Sequence, residues 1–269
     1  MLVDLPAPVL SNIRLSAHYN VVALEAPAIA HTGRPGQFVM VKPSPGFEPL
    51  LRRPFSIFEI VRDAAGGPVG VSILSKAIGI TTRQIYSLAP GDTVQCLGPL
   101  GRAFSMPGAG QHAWMVAGGV GLAPFVTLAE ALRGQGTKTT LFYGGRSRED
   151  LFYLELFESL GVRLVLATED GSRGERGRIT VPLDRALGEA RDLDVRLYAC
   201  GPEPMLAAVA HLAARHGRAC EVSVERVMGC GLGGCYSCVV PALDAGGRQH
   251  FVRSCVGGPV FDAASLVWE

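Results

Sequence analysis

The sequence predicts a multi-domain chain of the β plus α/β class: a small antiparallel β-barrel, then a parallel-sheet α/β domain, then a C-terminal cysteine-rich module. Three observations carry this prediction. Residues 12–103 hold short β-rich runs separated by turn signals. From residue 112 onward, short apolar runs alternate with helical stretches. Four of the seven cysteines fall in the last 40 residues.

The barrel rests on candidate strands at 21–25, 37–41, 55–61, 69–74 and 93–97. Arg34-Pro35-Gly36, Gly66-Gly67-Pro68 and Pro90-Gly91-Asp92 supply turns between them. Short strands at this spacing suit a small closed sheet. A short helix is expected at 82–88, and the glycine- and proline-rich stretch 106–110 reads as a boundary. The α/β part alternates strands at 113–117, 138–143, 163–167 and 196–200 with helices at 124–133, 149–160, 182–187 and 203–216. A strand at 220–224 is expected to close it. The remaining tail carries little apolar material of its own, so it is expected to need a bound centre.

Composition narrows the function classes. The chain has 269 residues, 48% hydrophobic and 18% charged, which is enough for a substantial core. A net charge of +1 without long runs of one sign argues against nucleic-acid or anionic-membrane binding. The uncharged run 113–129 is short for a membrane span and is interrupted by Gly118, Gly119, Gly121 and Pro124. It reads as strand, turn and helix, so no membrane span is expected. The start shows no signal-peptide pattern, and a cytoplasmic chain with reduced thiols is the expectation.

In the tail the spacing is Cys230-x4-Cys235-x2-Cys238, then sixteen residues, then Cys255. The first three match the plant-type ferredoxin spacing for a [2Fe–2S] cluster. Gly229, Gly231, Gly233 and Gly234 suit a loop that must bring thiolates together at close backbone approach. Two other readings compete. Structural zinc usually shows two paired cysteine elements, whereas Cys255 stands alone. A disulfide knot fits poorly with the expected compartment. Cys96 and Cys220 lie in strand-like runs and read as small core hydrophobes.

In the barrel, Arg53-Pro54-Phe55-Ser56 places a forked donor, an aromatic and a hydroxyl on one strand. Arg53 suits a pyrophosphate, Phe55 a flavin ring and Ser56 the reactive flavin nitrogen. The turn at Thr81 and Thr82 opens a helix, whose N-terminal amides suit a phosphate. A solvated edge strand is the plain alternative. In the α/β part, Gly118, Gly119 and Gly121 follow the first strand and let a dinucleotide lie close to the backbone. The motif is not the G-x-G-x-x-G fingerprint. Cys200 ends a later strand at the same edge and is a candidate neighbour of the nicotinamide. Arg146 and Arg148 suit an adenosine 2′-phosphate, or a solvated turn.

Together, Arg-Pro-Phe-Ser, then 117–124, then Cys200-Gly201-Pro202 resemble the ferredoxin–NADP reductase superfamily. The cysteine tail, with 228–240 and Cys255 followed by 258–261, narrows the resemblance to the electron-transfer subunits of class 1B dihydroorotate dehydrogenases. The resemblance implies an FAD-binding barrel at 1–104, an NAD-binding domain at 105–224 and a [2Fe–2S] module at 225–269. It implies FAD contacts from Arg53, Pro54, Phe55, Ser56, Leu74, Ser75, Lys76, Thr81 and Thr82. It implies cluster ligation by Cys230, Cys235, Cys238 and Cys255. It also implies a partner: an FMN-containing catalytic subunit, two copies of each forming a heterotetramer that oxidises dihydroorotate in pyrimidine biosynthesis. The chain departs from the family at Gly79-Ile80-Thr81-Thr82, where Gly-x-Gly-Thr is typical, and at Phe55, where Ile is frequent. The neighbouring alternative is the small subunit of an NADP-dependent ferredoxin oxidoreductase or sulfide dehydrogenase. An alternative of another class is a zinc-bound scaffold without catalysis.

Overall fold

The computed structural model describes residues 2–43 and 46–268. The chain divides into two compact units. The first contains the chain through Ala103, joined by Arg226–Val239 and Arg253–Pro259. The second contains Phe104–Glu225, Val240–Val252 and the segment from Val260 onward. The tail that the sequence sets apart as a third region is therefore shared between the two bodies.

The first unit is built from β1 (Val3–Arg14), β2 (Tyr19–Glu25), α1 (Pro27–Ala30), β3 (Phe38–Lys42), β4 (Arg53–Ser56), β5 (Glu59–Arg62), β6 (Pro68–Lys76), α2 (Ile80–Ser87) and β7 (Thr93–Leu100). Its strands run antiparallel in the order β4-β3-β7-β1-β2-β6-β5. β4 and β5 stand at opposite edges of that order, yet only Ile57 and Phe58 separate them. The Ile57 N–H donates to Gln37 O at 3.0 Å and the Phe58 N–H to Ser72 O at 2.9 Å. One continuous stretch thus pairs with β3 by its first half and with β6 by its second, which closes the barrel.

The sequence reading missed β1. Its first half pairs only with β7 and its second half only with β2, with an irregularity between Val9 and Ser11. Pro6 and Pro8 lie in the first half, where one edge of the strand is unpaired and their missing N–H groups cost nothing. The barrel core holds Val22, Leu24, Val39, Ile57, Ile73, Ile85 and Cys96.

The second unit contains β8 (His112–Gly118), α3 (Phe125–Gly134), β9 (Thr139–Gly145), α4 (Leu154–Ser159), β10 (Arg163–Thr168), β11 (Glu175–Arg176), α5 (Thr180–Glu189), β12 (Val195–Cys200), α6 (Glu203–Arg215) and β13 (Cys220–Ser223). The tail adds the hairpin β14 (Val239–Leu243) and β15 (Gln249–Arg253), the short α7 (Ser254–Gly257), which belongs to the first unit, and β16 (Val260–Asp262). The sheet order is β11-β10-β9-β8-β12-β13-β16, parallel throughout except that β16 runs antiparallel to β13.

Three expectations are corrected here. The helix expected at 149–160 is split. A 3₁₀ turn spans Arg148–Asp150, and α4 starts only after Tyr153, whose φ of 58° is left-handed and cannot continue a helix. The sheet does not end at 220–224, because β16 adds a further strand. The tail is also not short of apolar anchors. Val240, Ala242, Phe261, Ala263 and Leu266 enter the core of the second unit, with Trp268 packed against them. Among the described residues no helix is long and apolar enough to cross a membrane.

Candidate functional site

The four tail cysteines all lie in the first unit, three on the loop 229–238 and the fourth on α7. The loop 229–238 is shaped by its glycines. Gly231 has φ +73°, and a Cβ there would stand 2.7 Å from Met40 Cγ, so the loop lies directly on β3. The Arg253 guanidinium ties the loop to the fourth cysteine's segment. It donates to Gly233 O at 2.7 Å and lies 4.8 Å from the Tyr236 ring centroid. The Ser254 N–H donates to Cys238 O at 2.9 Å, fixing Cys255 beside the loop.

The thiols stand as two pairs: Cys235 hydrogen-bonds with Cys230, and Cys255 with Cys238. The first pair faces outward, with Cys235 exposed and Cys230 half-buried. The second is buried in an apolar floor of Phe38, Met40, Leu97, Leu100 and Met228. Their acidities diverge accordingly. Hydrogen bonds from Ser237, then from Cys230, bring Cys235 down to about 6. Burial, then hydrogen bonding with Cys238, pushes Cys255 up to about 12.

Among the described residues, no three Cys, His, Asp or Glu side chains converge to hold a single metal ion. Four cysteine thiols, three on one loop and the fourth on the segment tied to it, suit a two-iron cluster. The wholly buried Ser254 hydroxyl, next to Cys255, has no partner among the protein's described atoms. The donor set fits a two-iron cluster.

The candidate flavin residues lie on β4, β6 and α2. Arg53, Pro54, Phe55 and Ser56 are all half-buried, not a solvated edge. Phe55 is half-buried and packs against the barrel core. Arg53 spends one N–H on Arg52 O at 3.2 Å. On β6, Leu74 and Ser75 are buried, and Lys76 Nζ lies 5.0 Å from the Tyr19 ring centroid. Thr81 is buried. The Thr82 hydroxyl accepts from the Ile78 and Gly79 N–H groups and so shapes the turn itself. Asn20 Oδ1 on β2 and Ser75 Oγ on β6, opposite each other in the strand pair, are buried and lack partners among the described atoms. Unpartnered buried polar atoms at one place suit a polar ligand.

The candidate nucleotide residues sit at the switch point of the parallel sheet. From β8 the chain builds outward through β9, β10 and β11, then returns to place β12 on the other side of β8. Ligands of such sheets bind at the carboxyl ends flanking this reversal. Gly118 ends β8 and Cys200 ends β12, in neighbouring register. Gly119 and Gly121 lie in the 3₁₀ turn that follows β8. A Cβ on Gly121 would stand 2.2 Å from Cys200 O, so the two strand ends meet backbone to backbone. Burial pushes the Cys200 thiol up to about 12 against a hydrogen bond with Ser223, so it is a neutral group at neutral pH. Arg146 is engaged by the buried Asp150, with Nε to Oδ2 at 2.9 Å.

Sequence reasoning had not singled out Ser237, Arg253 or the apolar floor. Ser237 lay in plain view between two cysteines, and Arg253 two residues before the fourth. The floor carried no local signal.

Comparison with known proteins bears on both units. The oxidoreductase NAD-binding domain family matches residues 115–211. The iron-sulfur cluster binding domain of dihydroorotate dehydrogenase B matches 225–267. The dihydroorotate dehydrogenase B (NAD(+)) electron transfer subunit of Desulforamulus reducens is 34% identical over 98% of both chains. That of Bacillus caldolyticus is 40% identical over 87% of both. The chain belongs to this family. Its fold extends to a wider group than these electron transfer subunits. A solved NADH-dependent reduced ferredoxin-NADP oxidoreductase is 25% identical, with TM-score 0.80 over 97% of this chain and 90% of that one. A ferredoxin NADP+ reductase from Neisseria gonorrhoeae, at 20% identity and TM-score 0.66 over 80% of this chain and 92% of that one, shares the fold. The sequence-derived expectation of a reductase-type barrel and nucleotide domain followed by an iron–sulfur segment is met.

Proposed function

We propose that the chain carries electrons from an FMN-containing dihydroorotate dehydrogenase catalytic subunit to NAD+, in a heterotetramer with two copies of each subunit, in the cytoplasm. The observation that carries this reading is the pairing of four thiols on the unit that bears the flavin strand, in a chain whose relatives are NAD(+)-linked electron transfer subunits. When bound, the [2Fe–2S] cluster supplies one-electron transfer and FAD converts it to two-electron exchange with NAD+.

The chain's residues hold and shield. Cys230, Cys235, Cys238 and Cys255 ligate, and Gly231 brings their loop against Met40. Arg53, Ser56, Ser75, Lys76, Thr81 and Thr82 line the flavin; Pro54, Phe55 and Leu74 shape its wall from the barrel side. Gly118, Gly119 and Gly121 admit the dinucleotide, with the neutral Cys200 beside the nicotinamide. Arg146 is paired with Asp150, and the choice of NAD follows the NAD(+)-linked relatives.

The test is an anaerobic absorption spectrum of the chain with its native partner, before and after dihydroorotate. Bleaching of both flavin and iron–sulfur bands is expected. Bleaching by NADPH or NADH but not by dihydroorotate would move the chain to the ferredoxin-linked relatives.

A further inference from the structure

We propose that Ser237 sets the reduction potential of the iron–sulfur centre through a hydrogen bond from its hydroxyl to Cys235 Sγ. The inference rests on the proposed ligand set.

Two contacts fix the direction of that hydroxyl. The Gly229 N–H donates to Ser237 Oγ at 2.9 Å, so the oxygen accepts there and its own proton is left to donate. The same oxygen lies 3.2 Å from Cys235 Sγ. A metal-bound Cys235 carries no proton, so the only donor left in this contact is the serine O–H. The sulfur it reaches belongs to the exposed pair. The other sulfur of that pair, Cys230 Sγ, receives the Leu232 N–H at 3.3 Å. The buried pair sits in the apolar floor. Adding an electron raises the negative charge on the sulfurs, and donors aimed at them favour the reduced state. The Leu232 N–H and the backbone donors to Cys235, from Ser237 and Cys230, survive any side-chain change. The Ser237 O–H is the one that substitution can remove.

Ser237→Ala deletes that donor and keeps the backbone. Ser237→Thr keeps the hydroxyl. The experiment is a redox titration of the cluster, followed by electron paramagnetic resonance, in the full complex with all cofactors loaded. The proposal expects a more negative midpoint for Ser237→Ala, a midpoint near wild type for Ser237→Thr, and unchanged iron content. A purely structural role would lower iron content or broaden the signal without moving the midpoint. An unmoved midpoint in fully loaded Ser237→Ala overturns the proposal, as does a loaded Ser237→Thr that shifts like alanine. If Ser237→Ala loses iron, Ser237→Gly, which also lacks the hydroxyl, is titrated in its place under the same criteria. Iron and sulfide analysis of the wild-type chain separates the two failures. Absence of a two-iron cluster defeats the ligand assignment, whereas a present but insensitive cluster defeats only the role of Ser237.

Discussion

Cys235 and Cys255 are the same residue type with opposite acidities, and location explains the difference. Cys235 is exposed and faces hydrogen-bond donors, so its thiolate is favoured down to about pH 6. Cys255 is in the apolar floor and stays protonated up to about 12. Thiolate fraction grows as pH rises through the pKa, so a lowered value brings reactivity into the neutral range. In the cluster-free chain, alkylation by iodoacetamide mapped by mass spectrometry is therefore expected to reach half its plateau rate at Cys235 near pH 6. Cys255, Cys200, Cys96 and Cys220, each raised to about 12 chiefly by burial, are expected to stay slow at pH 7. Equal rates at Cys235 and Cys200 at pH 7 would contradict this account. The ligand cysteines were legible in the sequence because three of them are local and their spacing mirrors the cluster they suit. The donors around them were less legible, since a serine between cysteines looks the same whether it points to sulfur or to water.

The regular elements of the second unit were read closely from alternation alone, because buried parallel strands are apolar runs of fixed length separated by helices. The misses have physical causes. β1 carries two prolines, which demote a strand unless the unpaired edge is known, and that edge is a tertiary fact. α4 starts late because Tyr153 adopts a left-handed conformation that residue type does not announce. β16 is three residues long, below what periodicity can resolve. Its importance exceeds its length. Phe261 is buried in the core of the second unit, although it lies in the segment that sequence assigns to the cysteine region. Phe261→Ala is expected to destabilise that unit by about 3 kcal/mol. The chain's two tryptophans, Trp114 and Trp268, both lie in the second unit, so intrinsic fluorescence during urea unfolding reports on it directly. A midpoint unchanged from wild type would mean that β16 does not belong to that unit's cooperative core.

For the molecule as a whole, the proposed cofactors divide the reaction into separable halves. Exchange between NADH and flavin needs the nucleotide and flavin residues only, whereas dihydroorotate-driven NAD+ reduction also needs the four cysteines. Cys255→Ala in the assembled complex is expected to abolish the second activity while NADH-dependent dye reduction continues. Parallel loss of both, with FAD still bound, would place the cluster on the path between flavin and nucleotide. The closed barrel was legible as a set of short strands, but its closure by the stretch through Ile57 and Phe58 was not, because pairing at both edges is visible only in space. The apolar floor beneath the inner thiols carries a further consequence, which concerns biosynthesis. Phe38, Met40, Leu97 and Leu100 precede the nucleotide unit in the chain, while Met228, Cys238 and Cys255 follow it. As the polypeptide leaves the ribosome, this greasy surface on the barrel stands uncovered until the intervening unit has been made. The nascent chain thus has an interval of exposure to unwanted association, and iron delivery can be completed only when that interval ends.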